Sequence, residues 1–375
     1  MRPVIVVPGM GGSVLVRRGH EHRRVGHRRI LDNRWINLEP LSPARMRKWD
    51  RDMACAYDPD HRRLTGYDED IQPLDVGGLD GVRDIVPEFG LLSPYYRGIV
   101  DRMYSASYFG TMCDRLLALG HRERETLMGF PYDFRLVLDP ACREATFARL
   151  RALVEASSAP AVLVCHSIGG VLVRWFLGEQ GHAWTQRHVH HVVMVNVPWG
   201  GIPAGTRALV CGDHYCPLFA SLFRATIQTN SAVVMCLPNA LAFGPDEPLL
   251  RVAGGAPVTA STYGRHAHAN VGFLMWKQLF EPHLEAQCAT QGARVTMVTS
   301  EAGQVATAFE CEHEDRYASP VAHEPGDGTV PLRSLRAHGR LFDGREARVH
   351  LRDVGHSAVL RDPRLLDLVA RLASS

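Results

Sequence analysis

Three residues whose side chains can together carry out nucleophilic catalysis stand at the ends of predicted strands: Ser167, Asp327 and His356. A serine hydroxyl is a weak nucleophile until an imidazole accepts its proton. The imidazole in turn needs a carboxylate that fixes its tautomer and stabilises its cationic form. Asp327 lies between two glycines, and His356 follows a predicted strand that ends at Val354. The three side chains therefore predict attack by Ser167 on a carbonyl group, with His356 as the base and Asp327 as its partner.

Each of these residues has an ordinary alternative when it is taken alone. Asp327 would also suit a turn cap, and His356 would suit a loop, as most of the 19 histidines must. Asp353 is a second carboxylate nearby, but it is too close in sequence to His356 to reach its ring easily. The chain order serine, aspartate, histidine is that of an α/β-hydrolase triad, and this order favours the catalytic interpretation.

The segment around Ser167 has the pattern of a strand, a sharp turn and a helix. The apolar run 161–165 predicts a buried strand, and the apolar stretch 171–177 predicts a helix. This is the arrangement of a nucleophile elbow, whose usual pattern is Gly-x-Ser-x-Gly. Cys165 replaces the first glycine, and its small thiol still permits the turn. The alternative is an ordinary strand-to-helix turn that happens to carry a serine.

A glycine-rich turn follows the first predicted strand, which covers residues 4–7. Its sequence, PGMGGS over residues 8–13, fits the spacing of neither a dinucleotide-binding turn nor a P-loop. In a serine hydrolase such a turn supplies one backbone N–H of the oxyanion hole, and the residue after the nucleophile supplies the other. The pattern therefore nominates the backbone amides of Met10 and Ile168.

Strands and helices alternate along the chain, which predicts an α/β fold with a mostly parallel sheet flanked by helices. We predict one α/β-hydrolase domain over residues 1–375, with insertions at about 17–75 and about 202–290. The further strands are predicted at 191–197, 294–299 and 347–353, and the helices at 107–119, 139–156 and 363–373.

Composition excludes several classes of protein. A net charge of +2 gives no argument for nucleic acid binding, and no run approaches the ~18 apolar residues of a membrane span. The first strand begins so early that we expect either a product made without a leader or one from which a leader has been removed. The nine cysteines contain no Cys-x-x-Cys pair, which favours a reducing compartment. We therefore expect a cytoplasmic protein that is peripherally associated with membranes. The predicted chemistry needs no metal or other cofactor.

The first insertion combines exposed aromatic and basic residues. Trp35, Leu38 and Trp49 occur beside clustered arginines, and such a surface can enter the lipid headgroup layer while its cations meet lipid phosphate. The alternative is that Trp35 and Leu38 simply pack on the domain. The irregular second insertion is predicted to form a cap or lid.

Seven sequence blocks, in order and spread over almost the whole chain, resemble the lecithin:cholesterol acyltransferase family, and most closely its lysosomal phospholipase and transacylase branch. The resemblance implies an α/β-hydrolase core with a membrane-binding subdomain and a lid-bearing cap. It also implies an acyl-enzyme made from a phospholipid. The blocks are residues 3–9 (PVIVVPG), 35–39 (WINLE), 131–135 (PYDFR), 166–169 (HSIG), 198–201 (PWGG), 326–330 (GDGTV) and His356.

The resemblance also assigns roles to individual residues. Ser167, Asp327 and His356 would form the triad, and the amides of Met10 and Ile168 would form the oxyanion hole. Substrate or membrane contact falls to Trp35, Leu38, Trp49, Arg135 and Trp199, with Arg135 near the site where it would meet lipid phosphate. The sequence departs from the family at Met10, at Phe134, at Cys55, which lacks its usual upstream partner, and in having no leader.

The predicted function is a phospholipid-directed serine acyl hydrolase and O-acyltransferase. The acyl group on Ser167 would pass to water or to a lipid alcohol such as a sterol or diacylglycerol. The partner would be the surface of a phospholipid membrane or lipid particle. Two alternatives remain: a neutral-lipid lipase or esterase without transferase activity, and a catalytically inactive lipid-binding homologue.

Overall fold

A six-stranded parallel sheet lies at the centre of the protein. The computed structural model describes residues 1–20, 22–25, 28–31, 34, 43–84, 108–212, 224–266, 270–285, 291–314, 316–342 and 345–375. The strands are β1 (Val4–Val7), β2 (Leu15–Arg17), β3 (His22–Val25), β4 (Arg28–Leu31), β5 (Cys55–Asp58), β6 (Arg63–Gly66), β7 (Ile71–Pro73), β8 (Leu127–Gly129), β9 (Ala161–His166), β10 (Val189–Val195), β11 (Leu250–Val252), β12 (Val295–Glu301), β13 (Gly303–Cys311), β14 (Ser319–Gly326) and β15 (Ala347–Arg352).

Helices cover the sheet and fill the connections between strands. The α-helices are α1 (Pro43–Met53), α2 (Gly110–Ala118), α3 (Pro140–Glu155), α4 (Ile168–Gln180), α5 (His182–His188), α6 (Pro203–Cys211), α7 (Arg224–Gln228), α8 (Ser231–Met235), α9 (Tyr263–His266), α10 (Val271–Met275), α11 (Glu281–Glu285), α12 (Leu332–Arg336) and α13 (Pro363–Ser374). A π-helical turn covers Trp276–Phe280, and 3₁₀ turns cover Ala337–Arg340 and Ala358–Arg361. None of these described helices is long and apolar enough to cross a membrane.

The central sheet has the strand order β15-β12-β10-β9-β1-β8, and every neighbouring pair is parallel. All six residues of β9 are buried, because helices pack on both faces of the sheet. Ile5 and Leu163 face a core that includes α4, whereas Val4 and Val162 face a core that includes α2 and α13. The predicted mostly parallel sheet with flanking helices is confirmed.

The carboxyl ends of these parallel strands lie at one edge of the sheet, and three of the chain's loops meet there. β9 ends directly before Ser167, and β15 ends four residues before His356. β14 ends at Gly326, next to Asp327, and the Ala302 amide, just after β12, donates to the Gly326 carbonyl over 2.8 Å. The fold therefore brings the three distant segments to one place.

Some elements differ from the sequence predictions. Between β12 and Asp327 the chain forms the antiparallel hairpin β13–β14, which was not predicted and which joins β11 in a separate three-stranded sheet. The described residues between β1 and β8 form three small two-stranded pairs and helices α1 and α2, and none of these strands joins the central sheet. Assignment of 17–75 to a membrane-binding element and of 202–290 to a cap stays a prediction.

Candidate active site

Ser167 sits on a strained turn between β9 and α4. Its backbone has φ 52° and ψ −132°, a region that residues with a side chain rarely adopt. The turn is tight because a Cβ on Gly169 would lie 2.3 Å from the Pro8 carbonyl oxygen, and a Cβ on Gly170 would lie 2.2 Å from Val197. Only glycine fits at these two positions. Cys165 is fully buried in β9, so the turn forms with a thiol in place of the first glycine.

Ser167, His356 and Asp327 form one hydrogen-bonded array. His356 Nε2 lies 3.1 Å from Ser167 Oγ, and His356 Nδ1 lies 2.6 Å from Asp327 Oδ2. The Asp327 Oδ1 atom accepts hydrogen bonds from the backbone amides of Thr329 (2.9 Å) and Val330 (2.7 Å). These amides hold the carboxylate plane towards the imidazole. This is the geometry in which an imidazole can take the serine proton while a carboxylate stabilises the resulting cation.

The glycine-rich loop after β1 lies directly against the nucleophile turn. A Cβ on Gly9 would lie 2.7 Å from Ser167 Cβ and 3.2 Å from the His166 carbonyl oxygen. Met10 follows Gly9 and packs against the core. Ile168 is the first residue of α4, so its N–H has no acceptor within the helix. The loop and the helix start are therefore adjacent to Ser167, and the oxyanion role of Met10 and Ile168 remains a prediction.

Asn196 is a site residue that the sequence analysis missed. Its Nδ2 group donates to Ser300 Oγ over 2.7 Å and to the His356 carbonyl over 3.2 Å, and its Oδ1 accepts from the Ser300 amide over 2.8 Å. Asn196 has a positive φ of 47° directly after β10. It ties the ends of β10 and β12 to the backbone of the catalytic histidine. The sequence does carry a signal for this residue, because Asn196 is polar and stands at the end of an apolar strand.

The predicted contact between Arg135 and lipid phosphate is wrong. Its side chain is 0% exposed, and its Nε and Nη2 atoms donate to the two carboxylate oxygens of Asp133 over 3.0 and 2.8 Å. Its carbonyl accepts from the Ser231 amide, so the residue also joins its turn to α8. Burial is the largest single influence on the pKa of Arg135 and lowers it, but the charge and hydrogen bonds of Asp133, with smaller contributions from Cys55 and Asp68, together raise this pKa above its usual value. A guanidinium enclosed in this way serves packing inside the protein.

Of the tryptophans predicted to contact substrate or membrane, the structure describes Trp49 and Trp199. Trp35 and Leu38 lie outside the described residues. Trp49 is half-buried in α1, packs against the core and donates from its indole to the Arg34 carbonyl over 2.7 Å. Trp199 is 3% exposed and packs edge-on against Phe342, with ring centroids 5.2 Å apart. Burial argues against membrane contact for Trp199, whereas its predicted contact with substrate stays a prediction.

No three histidine, cysteine or carboxylate side chains converge on a metal-binding point within the described part of the chain. The chemistry available at this edge of the sheet is that of Ser167 and its two partners. A covalent ester on Ser167 would be formed and broken by proton transfer through His356. The site can therefore carry out acyl transfer.

Comparisons with known proteins agree with this geometry. Phosphatidylcholine-sterol acyltransferase from Homo sapiens is 27% identical over 367 residues, covering 93% of this chain and 79% of the relative. Lysosomal phospholipase A and acyltransferase from Bos taurus is 27% identical over 356 residues, covering 90% and 82%. A chain of the Tle4–Tli4 complex shares the fold, with a TM-score of 0.53 at 12% identity, over 100% of this chain and 98% of that chain.

The protein is an enzyme of the acyltransferase and phospholipase A type, built on an α/β-hydrolase fold. A family model described as lecithin:cholesterol acyltransferase matches residues 32–247. Residues 32–247 make up more than half of the chain and include the nucleophile turn. The chain therefore belongs to the lecithin:cholesterol acyltransferase family.

Proposed function

We propose that the protein takes an acyl chain from a glycerophospholipid, holds it as an ester on Ser167, and transfers it to water or to a lipid alcohol. The observation that carries this proposal is the array Ser167–His356–Asp327, with its distances of 3.1 and 2.6 Å. The phospholipid donor is supported by the relatives, whose names combine a phosphatidylcholine or phospholipase activity with acyl transfer.

The acylation step follows from the geometry of the array. His356 Nε2 takes the proton of Ser167 Oγ as that oxygen attacks the ester carbonyl carbon. The carbonyl oxygen becomes an oxyanion, which the amides of Met10 and Ile168 stabilise. The bond from this carbon to the glycerol oxygen then breaks, and His356 returns the proton to that oxygen. Lysophospholipid leaves, and the acyl group stays on Ser167.

Deacylation uses the same groups in the reverse direction. A water molecule or an alcohol hydroxyl gives its proton to His356 Nε2 and attacks the acyl carbon. The bond to Ser167 Oγ breaks, and the proton passes from His356 to the serine oxygen. Asp327 stabilises the cationic imidazole in both half-reactions. Water yields a free fatty acid and an alcohol yields an ester, so the acceptor decides which product forms.

The donor lipid can be tested directly with the purified protein. Vesicles of phosphatidylcholine and an emulsion of triacylglycerol are offered separately to the wild type, to Ser167→Ala and to Ser374→Ala. Ser374 is a matched control because its hydroxyl only bonds the Ala370 carbonyl near the C-terminus. We expect lysophospholipid from the vesicles with the wild type and Ser374→Ala, and none with Ser167→Ala.

The other outcomes separate the alternatives. Hydrolysis of triacylglycerol with no release of lysophospholipid would make the protein a neutral-lipid lipase. If the wild type and Ser167→Ala both release only background amounts of product from both lipids, the result would support an inactive lipid-binding protein. Either result would overturn the proposed function.

A further inference from the structure

Two buried aromatic residues, Tyr108 and His166, link the loop that carries the predicted oxyanion amide to the loop that carries the catalytic histidine. The Tyr108 hydroxyl accepts a hydrogen bond from the Gly9 amide over 3.0 Å and is also bonded to His166 Nδ1. His166 Nε2 lies 2.9 Å from the His356 carbonyl oxygen. Gly9 precedes Met10, so the chain of bonds runs from one side of Ser167 to the other.

The partners fix the direction of each hydrogen bond. A carbonyl oxygen only accepts, so His166 must carry its proton on Nε2 and donate to His356. Nδ1 is then an acceptor, and the Tyr108 hydroxyl donates to it while accepting from Gly9. Burial lowers the pKa of His166 well below its usual range, with the charge on His356 as a further cause. Burial also raises the pKa of Tyr108. Both side chains are therefore neutral, and one arrangement of protons satisfies all three bonds.

The link is in direct contact with the catalytic base. The imidazole rings of His166 and His356 have centroids 4.7 Å apart, and the Tyr108 ring meets the His166 ring edge-on at 5.2 Å. The His356 carbonyl also accepts from Asn196, so two donors on different elements hold the same backbone oxygen. A neutral His166 places no positive charge beside His356 when that ring becomes cationic. A cationic neighbour would oppose the proton transfer from Ser167.

We propose that Tyr108 and His166 are positioning residues. They keep the Met10 amide and the His356 imidazole correctly placed relative to Ser167 in the transition state. The proposal deepens the proposed function, because it rests on Ser167 and His356 as the catalytic pair. It does not depend on the identity of the lipid, since any ester that acylates Ser167 needs both the oxyanion amide and the base. A misplacement on the order of 1 Å at either group can cost about 100-fold in rate.

Four single variants of the enzyme and one double variant test this link. Tyr108→Phe keeps the ring and removes both of its hydrogen bonds. His166→Phe removes the bonds of the imidazole, whereas His166→Gln keeps an N–H donor for the His356 carbonyl. Tyr263→Phe is the matched control, because Tyr263 is equally buried and its hydroxyl bonds only to Thr206 Oγ1, 2.9 Å away. Turnover of a soluble p-nitrophenyl ester is measured per active site, with sites counted by fluorophosphonate labelling of Ser167.

We expect Tyr108→Phe and His166→Phe each to lower kcat by about 10- to 100-fold, with KM changed by less than about twofold. His166→Gln should recover most of this loss. The double variant Tyr108→Phe/His166→Phe should be no slower than about the worse single variant, because both remove the same chain of bonds. Tyr263→Phe should keep the kcat of the wild type, whatever it does to thermal stability.

Unchanged kcat per active site in Tyr108→Phe, with only a lower melting temperature, would overturn the proposal and leave these residues a structural role. Losses that multiply in the double variant would also overturn it. A wild type that cleaves the soluble ester but not phospholipid would overturn the proposed function alone, and this test would still decide the role of Tyr108 and His166. A wild type whose Ser167 is not labelled would overturn both.

Discussion

The Nε2 atom of His356 lies 3.1 Å from the hydroxyl oxygen of Ser167, although 189 residues separate them in the chain. The approach depends on the sheet, because β9 and β15 end at the same edge and the two residues follow those ends. From the end of β14, the carboxylate of Asp327 contacts Nδ1 on the opposite edge of the same imidazole ring. Asp327 and Gly9 at this edge, and Arg135 and His191 elsewhere in the fold, can be tested separately from the lipid specificity.

Asp327→Asn should leave the fold intact and lower kcat by about 10⁴-fold, with KM little changed. The asparagine oxygen can keep the bonds from the Thr329 and Val330 amides, which turns the NH₂ group towards His356 Nδ1. Nδ1 then becomes an acceptor, and the proton moves to Nε2, where it faces Ser167. The serine proton has no acceptor in that tautomer. Steady-state turnover of a soluble ester checks the prediction, and a loss below about tenfold would contradict this role of Asp327.

Gly9→Ala should lower kcat by about tenfold or more, because the new Cβ would lie 2.7 Å from Ser167 Cβ and 3.2 Å from the Tyr108 hydroxyl. The loop that carries Met10 must then move away from the nucleophile. Gly264→Ala is the control, since a Cβ added to Gly264 in helix α9 would meet no atom within 4 Å. Turnover per labelled active site measures both variants. Equal turnover in Gly9→Ala and the wild type would show that the loop position does not limit the reaction.

Arg135→Met should reduce the free energy of unfolding by about 3–5 kcal/mol, because it leaves the buried carboxylate of Asp133 without its cation. The double variant Arg135→Met/Asp133→Leu should recover part of that loss, since no buried charge remains. Urea denaturation followed by tryptophan fluorescence measures both. A single variant that is as stable as the wild type but binds vesicles less tightly would restore the lipid-phosphate role.

The free energy of unfolding should fall as pH decreases from about 6.5 to about 4, in part through His191. Burial lowers the pKa of His191 from 6.5 to about 4, with His190 and Arg294 as further causes. The unfolded chain binds a proton at the ordinary pKa while the folded protein does not, so acid favours unfolding within this window. Above pH 6.5 this contribution to stability is complete.

His191→Gln should therefore weaken the pH dependence of unfolding. The glutamine side chain can keep a hydrogen bond to Thr296 Oγ1, which His191 Nε2 makes over 2.8 Å. Urea midpoints at pH 7.5 and pH 4.5 should differ less in this variant than in the wild type. A pH dependence identical to that of the wild type would contradict the role of His191. The measurement at pH 7.5 serves as the internal control for any effect that does not depend on pH.

The parts of the site that were predictable from sequence are those with a local pattern. The strand, turn and helix around Ser167 follow from the apolar runs on either side of it, and Asp327 and His356 follow from their order and their adjacent glycines. The helix predicted to begin near Asp139 is also confirmed. The Asp139 side chain accepts hydrogen bonds from the amides of Ala141 and Cys142 at the start of α3. Apart from the chain order of the triad, each of these signals lies within a few residues.

The parts that were missed depend on contacts between distant segments. Tyr108 bonds to a histidine 58 residues away, and nothing in the local sequence specifies that partner. Arg135 stands two residues from Asp133, and the spacing is the same whether the pair is exposed or buried. The hairpin β13–β14 lies between β12 and Asp327 and does not extend the central sheet, because β13 pairs with β11 on one side and with β14 on the other. In each of these examples, the structure depends on burial or on pairing between segments that are far apart in the sequence.

The proposed function requires a single acyl-enzyme on Ser167, from which the acyl group passes to either water or alcohol. Phosphatidylcholine vesicles with increasing amounts of a long-chain alcohol test it most directly, with lysophospholipid, free fatty acid and acylated alcohol measured together. We predict that lysophospholipid equals the sum of the other two products, that the ratio of ester to fatty acid rises in proportion to the alcohol, and that all three vanish in Ser167→Ala. Ester and fatty acid that vary independently, or products that persist in Ser167→Ala, would contradict the account.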